Sequence, residues 1–337
     1  MLADINLKIG LILPGIFLTG CVAGLAMLLQ MLEIHFIGRA WLEGLVLAIL
    51  IGAAVRTFLR PGVRFDAGVR FSAKTLLEIA IVLLGASISA GAIAAAGPAL
   101  IIGIVGVVIV AIMMSYCIGR FLCLPHRLAV LVACGNSICG NSAIAATAPA
   151  IGAHGDDIAA SIAFTTVLGV VVVLLLPLLV PLLGLSATQY GVLAGLTVYA
   201  VPQVLAATAP VAQLSVQLGT LVKLVRVLML GPVILVLALT GAGNGIGKPS
   251  LHRLVPWFIV GFLAMMALGS FGFIPSALHA PMETTATFLT VFSMAALGLG
   301  VDVRTVARSG GRVTLAAVLS LLALGTVSYG LILVLGV

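Results

Sequence analysis

Two Gly-Asn-Ser triplets, Gly135-Asn136-Ser137 and Gly140-Asn141-Ser142, stand in the middle of a long apolar run. Amides and hydroxyls at membrane depth either bond between closely packed helices or line a ligand site. The glycines permit a break, and Asn141 or Ser142 can cap a new helix running through Ala143 to Ala150. An interrupted backbone in the bilayer is tolerated only inside protein or beside a water-filled cavity. The N-terminus of such a half-helix would offer free N–H groups and its dipole to an anion. Asn136, Ser137, Gly140, Asn141 and Ser142 are therefore the first candidate ligands.

A second group carries charge. Lys223 and Arg226 are three residues apart inside another apolar run, so they share a helix face. A charge at that depth costs at least ~2.5–3.5 kcal/mol and calls for a partner. An ion pair with Glu78 is the structural reading, yet one carboxylate leaves an excess positive charge. A bound anion is the functional reading, with the arginine fork offering two parallel donors. Pro202 breaks the helix around Tyr199-Ala200-Val201-Pro202-Gln203, which brings Gln203 and Tyr199 toward a cavity. Glu43 and Glu78 are the candidates for ion coupling. The five cysteines form no C-x-x-C pair and have no histidine cluster beside them, so neither a metal nor another cofactor is expected. His35, His126, His154, His252 and His279 fall near the ends of apolar runs. Ser137 and Cys139 lack a nearby general base, and an enzyme is not expected.

The elements that must hold these residues are membrane helices. The 337-residue chain is 63% hydrophobic and 7% charged, against roughly 25% charged for soluble domains. About eleven runs are long enough to span, at 9–32, 41–59, 73–95, 98–119, 127–151, 158–183, 188–209, 215–240, 254–273, 284–301 and 313–336. The first is read as a mature helix rather than a cleaved signal. Arg56, Arg60, Arg64, Arg70, Lys74, Arg120, Arg127, Lys248, Arg253, Arg304, Arg308 and Arg312 fall in linkers of one parity. The positive-inside rule then places the N-terminus in the cytoplasm and the C-terminus outside. The net charge of +7 is topological and gives no reason to expect nucleic acid.

The expected fold is an all-α polytopic membrane protein forming one transport domain. Residues 1–40 supply an extra N-terminal helix, 41–184 a first repeat and 185–337 a second. Aligning residues 74–88 with 220–234 matches Gly85 with Gly231. Spans 2–6 and 7–11 then read as two five-helix units of opposite orientation, the inverted-repeat design of secondary transporters. Span 10, with its small-residue centre Ser293 to Gly300, becomes the counterpart of broken span 5, and Ser293 joins the candidate ligands.

Four stretches carry a family resemblance: Ser137 to Pro149, Gln203 to Ala207, Lys223 to Pro232 and Met294 to Leu299. Together they make the chain similar to the YeiH-type sulfate exporters. The resemblance implies a bacterial inner-membrane transporter related to the bile-acid symporter and cation/proton antiporter group. It further implies that broken spans 5 and 10 cross, with spans 4–6 and 9–11 moving against a panel of 2, 3, 7 and 8. Two positions depart from it. Tyr199-Ala200 stands where relatives tend to have His-Glu, and Glu78 stands where some are basic.

The expected activity is secondary transport of a small anion of the sulfate, sulfite or sulfonate class by elevator-like alternating access, coupled to H+ or Na+. A small organic acid, or a cation/proton exchanger of the same fold, is the alternative. The lipid bilayer is the other expected partner, and a homodimer is an allowed assembly.

Overall fold

The computed structural model describes residues 2–37, 44–86, 90–239, 257–301 and 311–336. Every regular element among them is helical. In chain order these are α1 (Leu2–Ile37), α2 (Gly44–Leu59), α3 (Asp66–Phe71), a π-helical turn (Ser72–Leu76) and α4 (Leu77–Gly85). Next come α5 (Ala90–Phe121), α6 (His126–Cys134), a second π-helical turn (Gly135–Cys139), α7 (Asn141–Ile151), α8 (Gly155–Leu175) and α9 (Leu179–Leu183). The chain continues with α10 (Ala187–Thr197), α11 (Val201–Thr208), α12 (Gln213–Leu228) and α13 (Leu230–Leu239). It closes with α14 (Trp257–Ser270), α15 (Ser276–Leu299) and α16 (Gly311–Leu335).

Six stretches among the described residues are long and apolar enough to cross a membrane: Leu11–Phe36, Gly97–Phe121, Gly155–Leu183, Gln213–Leu237, Ala277–Leu299 and Gly311–Leu335. Helices α2 and α14 are shorter apolar helices. The chain divides into two compact units. One holds residues 1–90 and 260–304, the other 91–259 and 305–337.

In the first unit α1 packs on α2 and α3, and α15 packs on α2 and α4. The α2–α15 contact is made by backbone. A Cβ on Gly52 would lie 2.5 Å from Ala295 O, and one on Gly298 2.3 Å from Ile49 O. Arg56, near the end of α2, bonds Asp66 at 3.2 Å and Pro61 O at 3.3 Å, which fixes the turn into α3.

This packing corrects the expectation for span 10. α15 runs unbroken from Ser276 to Leu299. Its small residues serve the close approach to α2, and the Ser293 hydroxyl donates back to Leu289 O at 2.7 Å within the helix. Nothing there needs a half-helix terminus.

The second unit holds two hydrophobic clusters. Leu128, Ala129 and Val132 of α6 pack with Phe164 of α8 and with Val313 and Ala317 of α16. Leu100 and Ile104 of α5, Leu193 of α10 and Leu324 and Ile332 of α16 belong to the other. The second cluster thus gathers around the late part of α16, the first around its start.

Between these clusters the chain turns back on itself twice. If residues 126–151 formed one crossing helix, a rise of 1.5 Å per residue would put Arg127 and His154 about 40 Å apart. Instead Arg127 Nη1 donates to His154 Nε2 at 3.1 Å. α6 and α7 lie side by side, so 126–151 is a hairpin whose two ends share one end of the unit. Residues 187–208 behave in the same way. The Ser215 hydroxyl, in the first turn of α12, donates to Ala187 O at 2.6 Å, and Tyr190 donates to Ala207 O at 2.7 Å. α10 and α12 therefore run parallel, with Gly191 against Ser215 and Gly195 against Gly219. Only a returning α11 between them allows this.

The expectation of eleven crossing helices is corrected accordingly. Spans 5 and 7 each fold back as a helical hairpin, here called hairpin 1 (126–151) and hairpin 2 (187–208). Their arms of 8 to 11 residues extend about 12–17 Å, roughly half of a ~30 Å hydrocarbon layer. Hairpin 1 opens where α8 begins, and hairpin 2 opens where the α8–α9 segment ends.

Candidate functional site

Each hairpin tip is made by a local break. In hairpin 1 the π-helical turn closes with Gly140 N donating to Gly135 O at 2.9 Å. Gly140 itself sits at φ +64°, ψ −128°, a backbone region essentially restricted to glycine. In hairpin 2, Val198 and Ala200 are extended (ψ 145° and 149°). Pro202 opens α11 where its missing N–H costs nothing, and the Gln203 side chain accepts from Ala200 N at 3.2 Å. The tips touch: a Cβ on Gly140 would lie 3.0 Å from Tyr199 Cβ.

Ending a helix leaves its last four carbonyls without partners. Here those of α6 with its π-turn and those of α10 end in the interior, and the cations of α12 meet them. Lys223 Nζ donates to Ile138 O at 2.6 Å and Val198 O at 2.9 Å. Arg226 donates through Nε to Ser137 O at 3.2 Å and through Nη2 to Asn136 O at 3.2 Å. Its Nη1 reaches Gly195 O at 2.9 Å and Val198 O at 3.3 Å. Both side chains are 0% exposed. Two positive charges thus sit at the negative ends of two helix dipoles and tie one tip to the other. Six bonds leave one N–H on Lys223 and one on Arg226 beyond those five carbonyls.

The remaining tip residues have separate duties. The Tyr199 hydroxyl donates to Asn136 Oδ1, while Asn136 Nδ2 donates to Ala317 O of α16 at 3.0 Å. Asn141 is pinned to α8: its Nδ2 donates to Thr166 Oγ1 at 2.9 Å, and its Oδ1 accepts from Thr165. Ser137 is buried with its hydroxyl unbonded, as is Thr220, one turn before Lys223. Ser142 is exposed. Gln203 packs against Gly169 of α8, where a Cβ would lie 2.5 Å from its Nε2.

The second unit therefore gathers Asn136, Ser137, Gly140, Asn141, Gln203, Lys223 and Arg226 about the tips. Ser293 and Glu78 belong to the first unit, and Glu43 lies outside the described residues. Sequence reading passed over Thr165 and Thr166, though adjacent threonines in an apolar helix were a signal. It also passed over a duplication. Ala145-Ala146-Thr147-Ala148-Pro149 in hairpin 1 recurs as Ala206-Ala207-Thr208-Ala209-Pro210 in hairpin 2. The two threonines make the same bond, Thr147 to Ala143 O at 2.6 Å and Thr208 to Val204 O at 2.7 Å.

Six long apolar helices among the described residues define an α-helical, multi-pass membrane protein. The chain belongs to the family described as conserved hypothetical protein 698, whose model matches residues 14–317. It is 68% identical over 331 residues to a UPF0324 membrane protein of Brucella melitensis biotype 1, covering 98% of this chain and 93% of the relative. One from Agrobacterium fabrum is 57% identical over 322 residues (96% and 93%). One from Bacillus cereus is 38% identical over 297 residues (87% of each). No solved structure matches the chain.

Proposed function

We propose that the protein is a secondary transporter, not an enzyme, carrying a small anion of the sulfate, sulfite or sulfonate class across the bacterial inner membrane. The observation that carries this reading is the meeting of two re-entrant tips at the buried pair Lys223 and Arg226. Hairpins opening to opposite ends of one unit, with tips near mid-membrane, give a site that two gates can expose in turn. An anion there would meet the remaining N–H groups of Lys223 and Arg226, the Ser137 hydroxyl and the first-turn amides of α7. A YeiH-type exporter assignment agrees with that donor set, and elevator-like motion agrees with short hairpins that cannot slide independently of the helices they pack on.

The inverted repeat favoured by this geometry is smaller than five helices. It is a hairpin followed by one long helix, 126–183 and 187–239. Each copy crosses once, so the second enters from the opposite side. Replacing two crossings by hairpins removes an even number of them. The parity of the basic linkers is unchanged, with the N-terminus cytoplasmic and the C-terminus periplasmic.

Uptake of radiolabelled sulfate or sulfite into liposomes tests the activity. Wild-type protein is expected to give saturable, competable uptake that Lys223→Ala and Arg226→Ala each reduce at least about tenfold, a barrier change of ~1.4 kcal/mol. Equal uptake in wild type and both variants would remove the anion site.

A further inference from the structure

Carbonyl oxygens at the ends of interrupted helices are the usual ligands of small monovalent cations within a membrane protein. The tips present five of them, from Asn136, Ser137, Ile138, Gly195 and Val198, and all five are taken by side chains of α12. Lys223 Nζ is the point-like member of the pair. It joins Ile138 O of hairpin 1 to Val198 O of hairpin 2 at 2.6 and 2.9 Å, lengths within or just short of those of charge-assisted bonds. It is fully buried, and its nearest described acceptors are uncharged oxygens, not a carboxylate. A free cation bridging two tips would occupy that position.

We propose that the tips form a cradle for a small monovalent cation which the chain fills with its own ammonium, Lys223, in place of a mobile coupling ion. The cradle would take small ions of the ammonium class once Lys223 is removed. The consequence for coupling, which rests on the transport reading, is that carriage proceeds without Na+ bound between the tips.

The test is the thermal stability of the purified full-length protein in chloride salts of matched ionic strength. N-methylglucamine serves as background, with Na+, K+, ammonium, methylammonium and tetramethylammonium as probes. Wild-type Tm is expected to be the same in all of them. Lys223→Ala is expected to lose roughly 5 °C and to recover saturably in ammonium or methylammonium. Tetramethylammonium, which has no N–H to donate, should restore nothing. Recovery of the variant only when ammonium is present throughout purification is the same rescue. A variant that no cation stabilises selectively, or that folds in none of these salts, overturns the proposal, as does saturable Na+ stabilisation of the wild type. Cation rescue together with absent sulfate uptake would refute the transport reading while leaving the cradle standing.

Discussion

Arg226 binds four carbonyls on two hairpins, so its removal orphans more buried acceptors than any other single side chain at the tips. A hydrogen bond to a charged group contributes about 1.5–3 kcal/mol. Arg226→Ala is therefore expected to destabilise the protein by at least about 3 kcal/mol in denaturant melts. Arg226→Lys should recover only part of this, because a point charge cannot span the spread of a guanidinium. Tyr199→Phe is milder. It takes one donor from Asn136 Oδ1 and leaves a buried acceptor unpaired, for an expected loss of about 1–3 kcal/mol. That Lys223 and Arg226 share a face and need partners was readable from their three-residue spacing. That the partners are backbone carbonyls was not, because no side-chain pattern records where a helix ends in space. A carboxylate was the natural expectation only while the helices were taken as continuous.

At the scale of elements, the breaks were legible and their direction was not. The glycines, asparagines and Pro202 mark interruptions in an apolar run, and both tips fall where those residues stand. Whether the chain continues across or turns back depends on torsions at one or two positions. Gly140, at φ +64°, sets the turn in hairpin 1. Gly140→Ala should cost about 1–3 kcal/mol, and its Cβ would also press Tyr199 at 3.0 Å. Thermal melts of Gly140→Ala beside Gly155→Ala, where nothing lies within 4 Å of the added Cβ, separate backbone strain at the tip from a general loss of glycine. The span-10 expectation failed for a related reason. Small residues serve a break and a close helix contact equally well, and in α15 Gly298 serves the contact with Gly52 of α2. The Ala-Ala-Thr-Ala-Pro string stands in both of the segments that are interrupted, at 145–149 and 206–210.

For the whole molecule, composition and the distribution of arginines were enough to give a multi-pass α-helical membrane protein, because apolar length and loop charge are one-dimensional properties. The number of crossings was not fixed by them: a re-entrant hairpin is as apolar as a span, and two hairpins preserve parity. Sidedness of labelling separates the two arrangements. In a cysteine-free background, Pro125→Cys and Ala153→Cys flank hairpin 1, and Ser186→Cys and Pro210→Cys flank hairpin 2, none of them buried. A membrane-impermeant maleimide is expected to modify the first two from one face of the membrane and the last two from the other. Labelling of Pro125→Cys and Ala153→Cys from opposite faces would restore a crossing span.

The central claim is that a small anion is held where the two tips meet Lys223 and Arg226. Its most direct test is the stability of purified wild type and Arg226→Ala in sulfate, sulfite, a small sulfonate and a small carboxylate against chloride at matched ionic strength. A saturable rise in wild-type Tm with at least one of these anions, absent in Arg226→Ala, is the predicted result. No shift with any of them, or the same shift in the variant, would contradict it.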